Sequence, residues 1–268
     1  MKKTIREKIL AKTSERPLEF AENMAAVVQI LSAFESMNPS ERRRGGINNW
    51  EHLKSSASGN ERLNNLMSRE GIVRVALGLR ISGSVTLLAV RGNSARKYLA
   101  LLITSCQILT SKYTLNGSDG ADQLAGLIHA SSALGRVGRG KNKDLAIGFI
   151  GCQIIVSYFA SGLAKSFGSE WTNGTAVERV ARTHTYGNRK LYEFLRARPR
   201  FSEFLTYSTT SLELVFPVIV RSRIGSVLGL AAMGLFHLAN SHFLGLGRFL
   251  LAFVAGYPTV LRVVNPRT

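Results

Sequence analysis

Three ionisable side chains stand inside apolar stretches of this chain: Lys165, Glu213 and His237. A charge at mid-bilayer costs about 2.5–3.5 kcal/mol on insertion scales, so such groups face a protein interior, a cavity or one another. A lysine and a glutamate can neutralise as a pair, whereas a lysine kept neutral by desolvation can act as a base. These three are therefore the catalytic candidates. Each has a plainer alternative: Lys165 snorkelling to the headgroups, Glu213 partnering an Arg or Lys, His237 hydrogen-bonding a neighbouring helix. The segment Tyr158 to Ala176, YFASGLAKSFGSEWTNGTA, sets Lys165 about two helical turns beyond Tyr158 on the same face. Trp171 and a polar turn follow, the pattern of a helix leaving a membrane through its aromatic belt. Tyr158 and Trp171 are binding candidates, with Asp119 and Asp122 of the polar, Gly-rich turn TLNGSDGADQ.

Other ionisable groups point to structure rather than chemistry. His237 and His242 are five residues apart, which separates them around a helix, and Asn240-Ser241 reads as a turn; no metal or haem site is expected. Arg74 and Arg80 lie six apart in the first apolar span, and Arg80 must face protein or water. Cys106 and Cys152 are the only cysteines, and both read as buried, inert thiols. No P-loop, GxSxG elbow or HExxH pair occurs. Asn116-Gly-Ser and Asn173-Gly-Thr are formal glycosylation sequons.

The elements that must position these groups follow from the bunching of apolar residues. Candidate spans are Gly71 to Val90, Tyr98 to Lys112, Asp144 to Lys165, Phe201 to Val220, Ile224 to Asn240 and Phe243 to Val264, with a weaker stretch at Gln123 to Val137. Several approach the roughly 20 residues that a 30 Å hydrocarbon core requires. The fold class expected is all-α: a polytopic transmembrane bundle of about 6–7 spans over residues 67–264, after a polar segment 1–66 and before a tail 265–268. In the polar segment, Leu18 to Phe34 places Phe20, Met24, Val27, Val28, Ile30, Leu31 and Phe34 broadly on one side. That predicts an amphipathic helix on the membrane surface or packed on the bundle, with a partly disordered tail as the alternative. Asn38-Pro39 ends it, and ERRRGGINNW with SSASGN reads as loop. Ala176 to Pro199 reads as one or two amphipathic surface helices stopped by Pro199. Pro217, four residues after Glu213, predicts a kink.

A net charge of +18 over 268 residues invites a nucleic-acid reading, because Lys and Arg supply most phosphate affinity. The distribution opposes it. The first 70 residues hold 12 Lys/Arg against 9 Asp/Glu, so the surplus lies among the apolar spans, in short loops as the positive-inside rule describes. The partner expected is the lipid bilayer, with no nucleic acid. Met1 to Pro17 lacks the apolar core of a cleavable signal, so insertion is expected to depend on the first transmembrane helix. Seven crossings with the basic loops cytoplasmic place the N-terminal segment outside, an awkward domain to translocate. Either one weak stretch does not cross, or Leu18 to Phe34 does.

Five segments in order, GIVRVALGLR, TLNGSDGADQL, SYFASGLAKSFGSEWTNGTA, TSLELVFP and GLFHLANSHFLGLGRFLLAFVAGYP, resemble the HTTM family, the transmembrane domains related to vitamin K-dependent gamma-carboxylase. Within it the likeness is to the sporulation-delaying protein B-like branch, bacterial multi-pass proteins that mature a secreted peptide toxin. The resemblance covers about residues 70–258. It sets Lys165, with Tyr158, Phe159 and Gly162, where the carboxylase carries its catalytic base. Asn116-Gly117-Ser118-Asp119 offers no counterpart to the carboxylase's histidine, the large lumenal domain is missing, and the branch itself accepts arginine for the lysine. What the resemblance implies is a multi-pass protein of the cell membrane that acts in maturation or membrane handling of a secreted peptide, with Lys165, Glu213 and His237 lining an intramembrane site. It names no cofactor. The alternative from another class is a non-catalytic membrane factor, an immunity, chaperone or transport partner, whose intramembrane charges are structural pairs.

Overall fold

A computed structural model describes residues 16–46, 48–53, 60–113, 119–138 and 140–265. These are all-helical, with no strand among the described residues. The chain divides into two compact units, residues 1–147 and 148–268.

In the first unit, α1 (Pro17–Ser36) is followed by short α2 (Pro39–Arg42), α3 (Trp50–Leu53) and α4 (Glu61–Met67), then by α5 (Glu70–Ala89), α6 (Asn93–Ser111) and α7 (Gly120–Gly135). The punctuation is local. Pro17 opens α1, where its missing N–H costs nothing, and Asn38 caps α2 by accepting from the Ser40 amide at 3.2 Å. Asp119 caps α7, accepting from the Asp122 amide at 2.8 Å. The long helices close a ring of contacts, α1 on α5, α5 on α6, α6 on α7 and α7 back on α1. Ala26, Leu87, Ala100, Ile103 and Ala133 form one buried cluster of this ring, and Ala33, Val73, Leu77 and Tyr113 another.

Helix α1 packs on the bundle, and of its expected apolar side only Val28 is fully buried, with Leu18 buried as well at the start of the helix. Ala21, Glu22, Ala25, Ala26, Gln29, Ser32 and Ala33 are buried, whereas Leu31 and Phe34 are exposed and Phe20, Met24, Val27 and Ile30 are only partly covered. Small residues let helix backbones approach, and buried polar side chains find partners across the helices. Helix α5 likewise mixes the two kinds of residue, burying Arg80 and Ser84 beside Val73, Leu77 and Leu87 and exposing Val75 and Val85.

The second unit takes up most of α8 (Lys141–Ser166), then α9 (Ser169–Thr172), α10 (Ala176–Ala181), α11 (Arg189–Arg196), α12 (Pro199–Ile219), α13 (Arg223–Leu244) and α14 (Gly247–Val264). The expected turn at Asn240-Ser241 does not form. Helix α13 runs on to Leu244 and stops at Gly245, whose φ of 73° is the left-handed cap that glycine adopts without a Cβ penalty. Pro217 falls in the last turn of α12, which continues to Ile219. Cys106 is buried as expected, but Cys152 is exposed. It shares the outer side of α8 with Phe149, Val156 and Phe159.

Among the described residues, four helices, α5, α8, α13 and α14, are long and apolar enough to cross a membrane. The other expected crossings fall short by composition or length. Helix α6 carries Arg96 and Lys97 near its start, α7 has 16 residues, and α12 contains Arg200, Glu203 and Glu213. Of the polar turn Thr114 to Gln123, residues 114–118 with the Asn116 sequon lie outside the described residues, as does the SSASG stretch, whereas Gly120 to Gln123 form the first turn of α7 rather than loop.

Candidate functional site

The site in the second unit begins with a close approach of two backbones. A Cβ placed on Gly162 would lie 2.7 Å from the Leu214 backbone nitrogen and 3.0 Å from the Glu213 Cβ, closer than real side chains come. Glycine at 162 therefore lets α8 meet α12, and one turn later Lys165 reaches across. Its Nζ donates to Glu213 Oε2 at 2.6 Å and to Ser161 Oγ at 2.6 Å. Glu213 is almost wholly buried, and the Lys165 side chain retains 17% of its exposure. The indole of Trp171 on α9 lies 5.0 Å from Nζ, a cation–π contact that shields the ammonium on its open side.

A second polar group lies two turns back along α8. The Tyr158 hydroxyl meets His237 Nε2 on α13 at 3.0 Å and the Tyr257 hydroxyl on α14 at 2.9 Å. A phenol offers one proton and accepts others. The chain therefore runs either from Tyr257 through Tyr158 to an unprotonated Nε2, or from a protonated Nε2 through Tyr158 to Tyr257. In both, His237 Nδ1 is buried without a hydrogen-bond partner among the described residues. Aromatic rings enclose the group: Phe216 at 4.7 Å from the Tyr158 ring, and Phe253 at 5.0 Å from Tyr158 and 4.5 Å from His237. Tyr158 precedes Lys165 by two turns on α8, and Phe216, against the Tyr158 ring, follows Glu213 by three residues on α12, so pair and chain occupy neighbouring turns of the same two helices.

Lys165, Glu213, His237, Tyr158 and Trp171 are thus brought together. Asp119 and Asp122 belong to the first unit, Asp119 as the α7 cap and Asp122 as a buried partner of Arg80 at 3.1 Å. His242 is exposed in the last turn of α13, away from the buried position of His237, and no group of three or more metal-type ligands occurs among the described residues. Sequence reasoning missed Tyr257 and Ser161. Neither carries a signal on its own, because a tyrosine before Pro258 and a serine four residues before Lys165 are ordinary in helices.

It also missed the buried network of the first unit. Glu22 of α1 accepts from Arg96 at 2.9 Å, from Arg136 at 2.7 Å and from Ser132. Arg80 of α5 bonds Gln29, Ser32 and Asp122, and Gln107 of α6 joins Gln29 at 2.5 Å to the Asp122 carbonyl at 2.6 Å. Arg74, its neighbour in sequence, instead pairs on the surface with Glu70. The network ties α1 to each long helix of its unit, a structural use of charge that fits its closed arrangement.

No family model, curated protein or solved structure matches the chain.

Proposed function

We propose that the chain is a multi-pass protein of the bacterial cell membrane, of the HTTM type, that acts in maturation or membrane handling of a secreted peptide through the cluster around Tyr158, Lys165, Glu213 and His237. The observation that carries the reading is His237 Nδ1, a buried polar atom without a partner at the end of a hydrogen-bonded chain. Leaving such an atom unmet costs about 1–3 kcal/mol, a cost recovered when a polar group of a bound molecule reaches it. The aromatic walls supply apolar contact, and the Lys165–Glu213 pair supplies charge at the more open end. Further crossings, up to the six or seven that the apolar stretches allow, belong to this proposal.

The pair itself favours a second reading. Lys165, its Nζ 2.6 Å from Glu213 Oε2, is engaged in an ion pair that a base would first have to leave. With the ion pair intact, the cluster binds and orients; it does not abstract a proton. A non-catalytic factor, whether immunity, chaperone or transport partner, needs nothing more.

Lys165→Arg and Lys165→Ala separate the two. Cells expressing each variant are compared for membrane level of the protein and, by mass spectrometry, for the processed state of their secreted peptides. Loss of processing by both variants at normal protein level assigns Lys165 a chemical step, because guanidinium keeps the charge but does not become a neutral base. Processing preserved by Arg, with a lowered protein level for Ala, assigns a structural cation. No change in any secreted peptide with either variant would remove peptide handling altogether.

A further inference from the structure

Residues 177–200 hold seven Lys/Arg against two Asp/Glu, and only part of that charge is spent in ion pairs, Arg179 pairing with Glu170. Arg189 pairs with Glu193 at 2.8 Å, whereas Arg196, Arg198 and Arg200 form no ion pair among the described residues. These three are exposed, at the end of α11 and the start of α12. Beside them runs a row of exposed aromatic rings: Phe194 and Phe201 edge to face at 5.9 Å, and Phe201 stacked on Phe204 at 6.5 Å. Phe204 keeps 63% of its exposure. The Arg198 guanidinium lies 4.2 Å from the Phe194 ring, joining row and basic cluster into one surface. The surface is rigidly held, since Leu195 is fully buried and α11 packs on α10 and α12.

We infer that this surface docks anionic phospholipid headgroups. Guanidinium groups match a phosphate diester by paired hydrogen bonds, and rings at this density are stable where headgroups meet acyl chains. An acidic protein would satisfy the arginines but offers the phenylalanine row no apolar layer. Single-stranded nucleic acid can stack bases on such rings, but the position just after a helix apolar enough to cross a membrane favours lipid over it. Position adds to the argument. The surface follows α8, one of the helices apolar enough to cross a membrane, by way of Phe167 and Trp171. Tyr207 on α12 donates to the Thr172 carbonyl at 3.0 Å, which holds α9 and the first half of α12 at one level. Basic residues near an anionic leaflet contribute about 1 kcal/mol each, so a three-arginine cluster selects strongly for charged lipid. The inference rests on membrane residence and not on peptide handling.

The test uses the full chain in nanodiscs of phosphatidylcholine with and without phosphatidylglycerol. Native mass spectrometry is expected to show phosphatidylglycerol retained in preference to phosphatidylcholine. The triple variant Arg196→Gln, Arg198→Gln, Arg200→Gln should lose that preference about tenfold or more while staying in the membrane fraction, and the matching triple Lys variant should keep most of it. A spin label at Phe194→Cys, in a Cys106→Ser, Cys152→Ser background, should report headgroup depth. Equal retention by wild type and Gln variant, a label in bulk water, or displacement of lipid by nucleic acid or acidic protein overturns the inference. Loss of the chain from the membrane would instead overturn membrane residence.

Discussion

At the residue scale, the behaviour of Lys165 follows from what it leaves behind when removed. Glu213 is buried, and without the ammonium it is a carboxylate shut off from solvent. Breaking a buried pair on one side costs about 3–5 kcal/mol, whereas removing both charges is often nearly neutral. Lys165→Ala should therefore lower the unfolding temperature of the purified protein, and adding Glu213→Ala should restore most of the loss. A double variant no more stable than the single one would show that the pair is not coupled. The pairing of these residues was partly legible in advance, because two opposite charges in apolar spans have few other ways to be stable. Tyr257 was not legible. Its role depends on which helix faces Tyr158, and nothing in its own neighbourhood marks it.

At the element scale, helix contacts rest on small residues and buried charge. Gly162→Ala forces a methyl group to within 2.7 Å of the α12 backbone and should destabilise the second unit. Gly78→Ala on α5 meets nothing within 4 Å and should stabilise by up to about 1 kcal/mol through helix propensity. Thermal melts of the two variants should move in opposite directions. Helix α1 makes the complementary point with charge. Glu22→Ala leaves Arg96 and Arg136 buried without their shared carboxylate and should cost about 3–5 kcal/mol. Phe34→Ala removes a larger side chain that is mostly exposed and should stay within about 0.5 kcal/mol. A reversed ranking would mean that the apolar side of α1 is its packed side after all. The existence of α1 was legible from composition, but its orientation was not. A hydrophobic face points inward in water and outward in lipid, and periodicity alone does not say which solvent surrounds a helix.

At the scale of the whole molecule, exposed Ile224, Leu228 and Leu235 on α13 lie opposite buried Ser226 and His237, the distribution a lipid-facing helix requires. Leu235→Asp on that outer face should cost about 2.5–3.5 kcal/mol of insertion, read as a fall in the glycosylation-reporter or carbonate-resistant fraction. An unchanged fraction would show that this face does not meet hydrocarbon. Membrane residence thus has a test independent of any activity.

What the amino-acid sequence determined by itself was local: apolar stretches long enough for helices, caps and prolines that divide them, and a basic surplus among the spans. It also singled out Lys165, Glu213 and His237, because an ionisable group in an apolar run is conspicuous whatever it touches. Tertiary structure alone decided the partners. It brought Lys165 to Glu213 through the missing side chain of Gly162, and linked Tyr158 to His237 and Tyr257. It also left Leu31 and Phe34 of α1 exposed while burying Glu22 and Gln29 beside Leu18, Val28 and four alanines. The reason is that a hydrogen bond between helices depends on crossing angle and depth to within an ångström, and those are set by the packing of every helix at once.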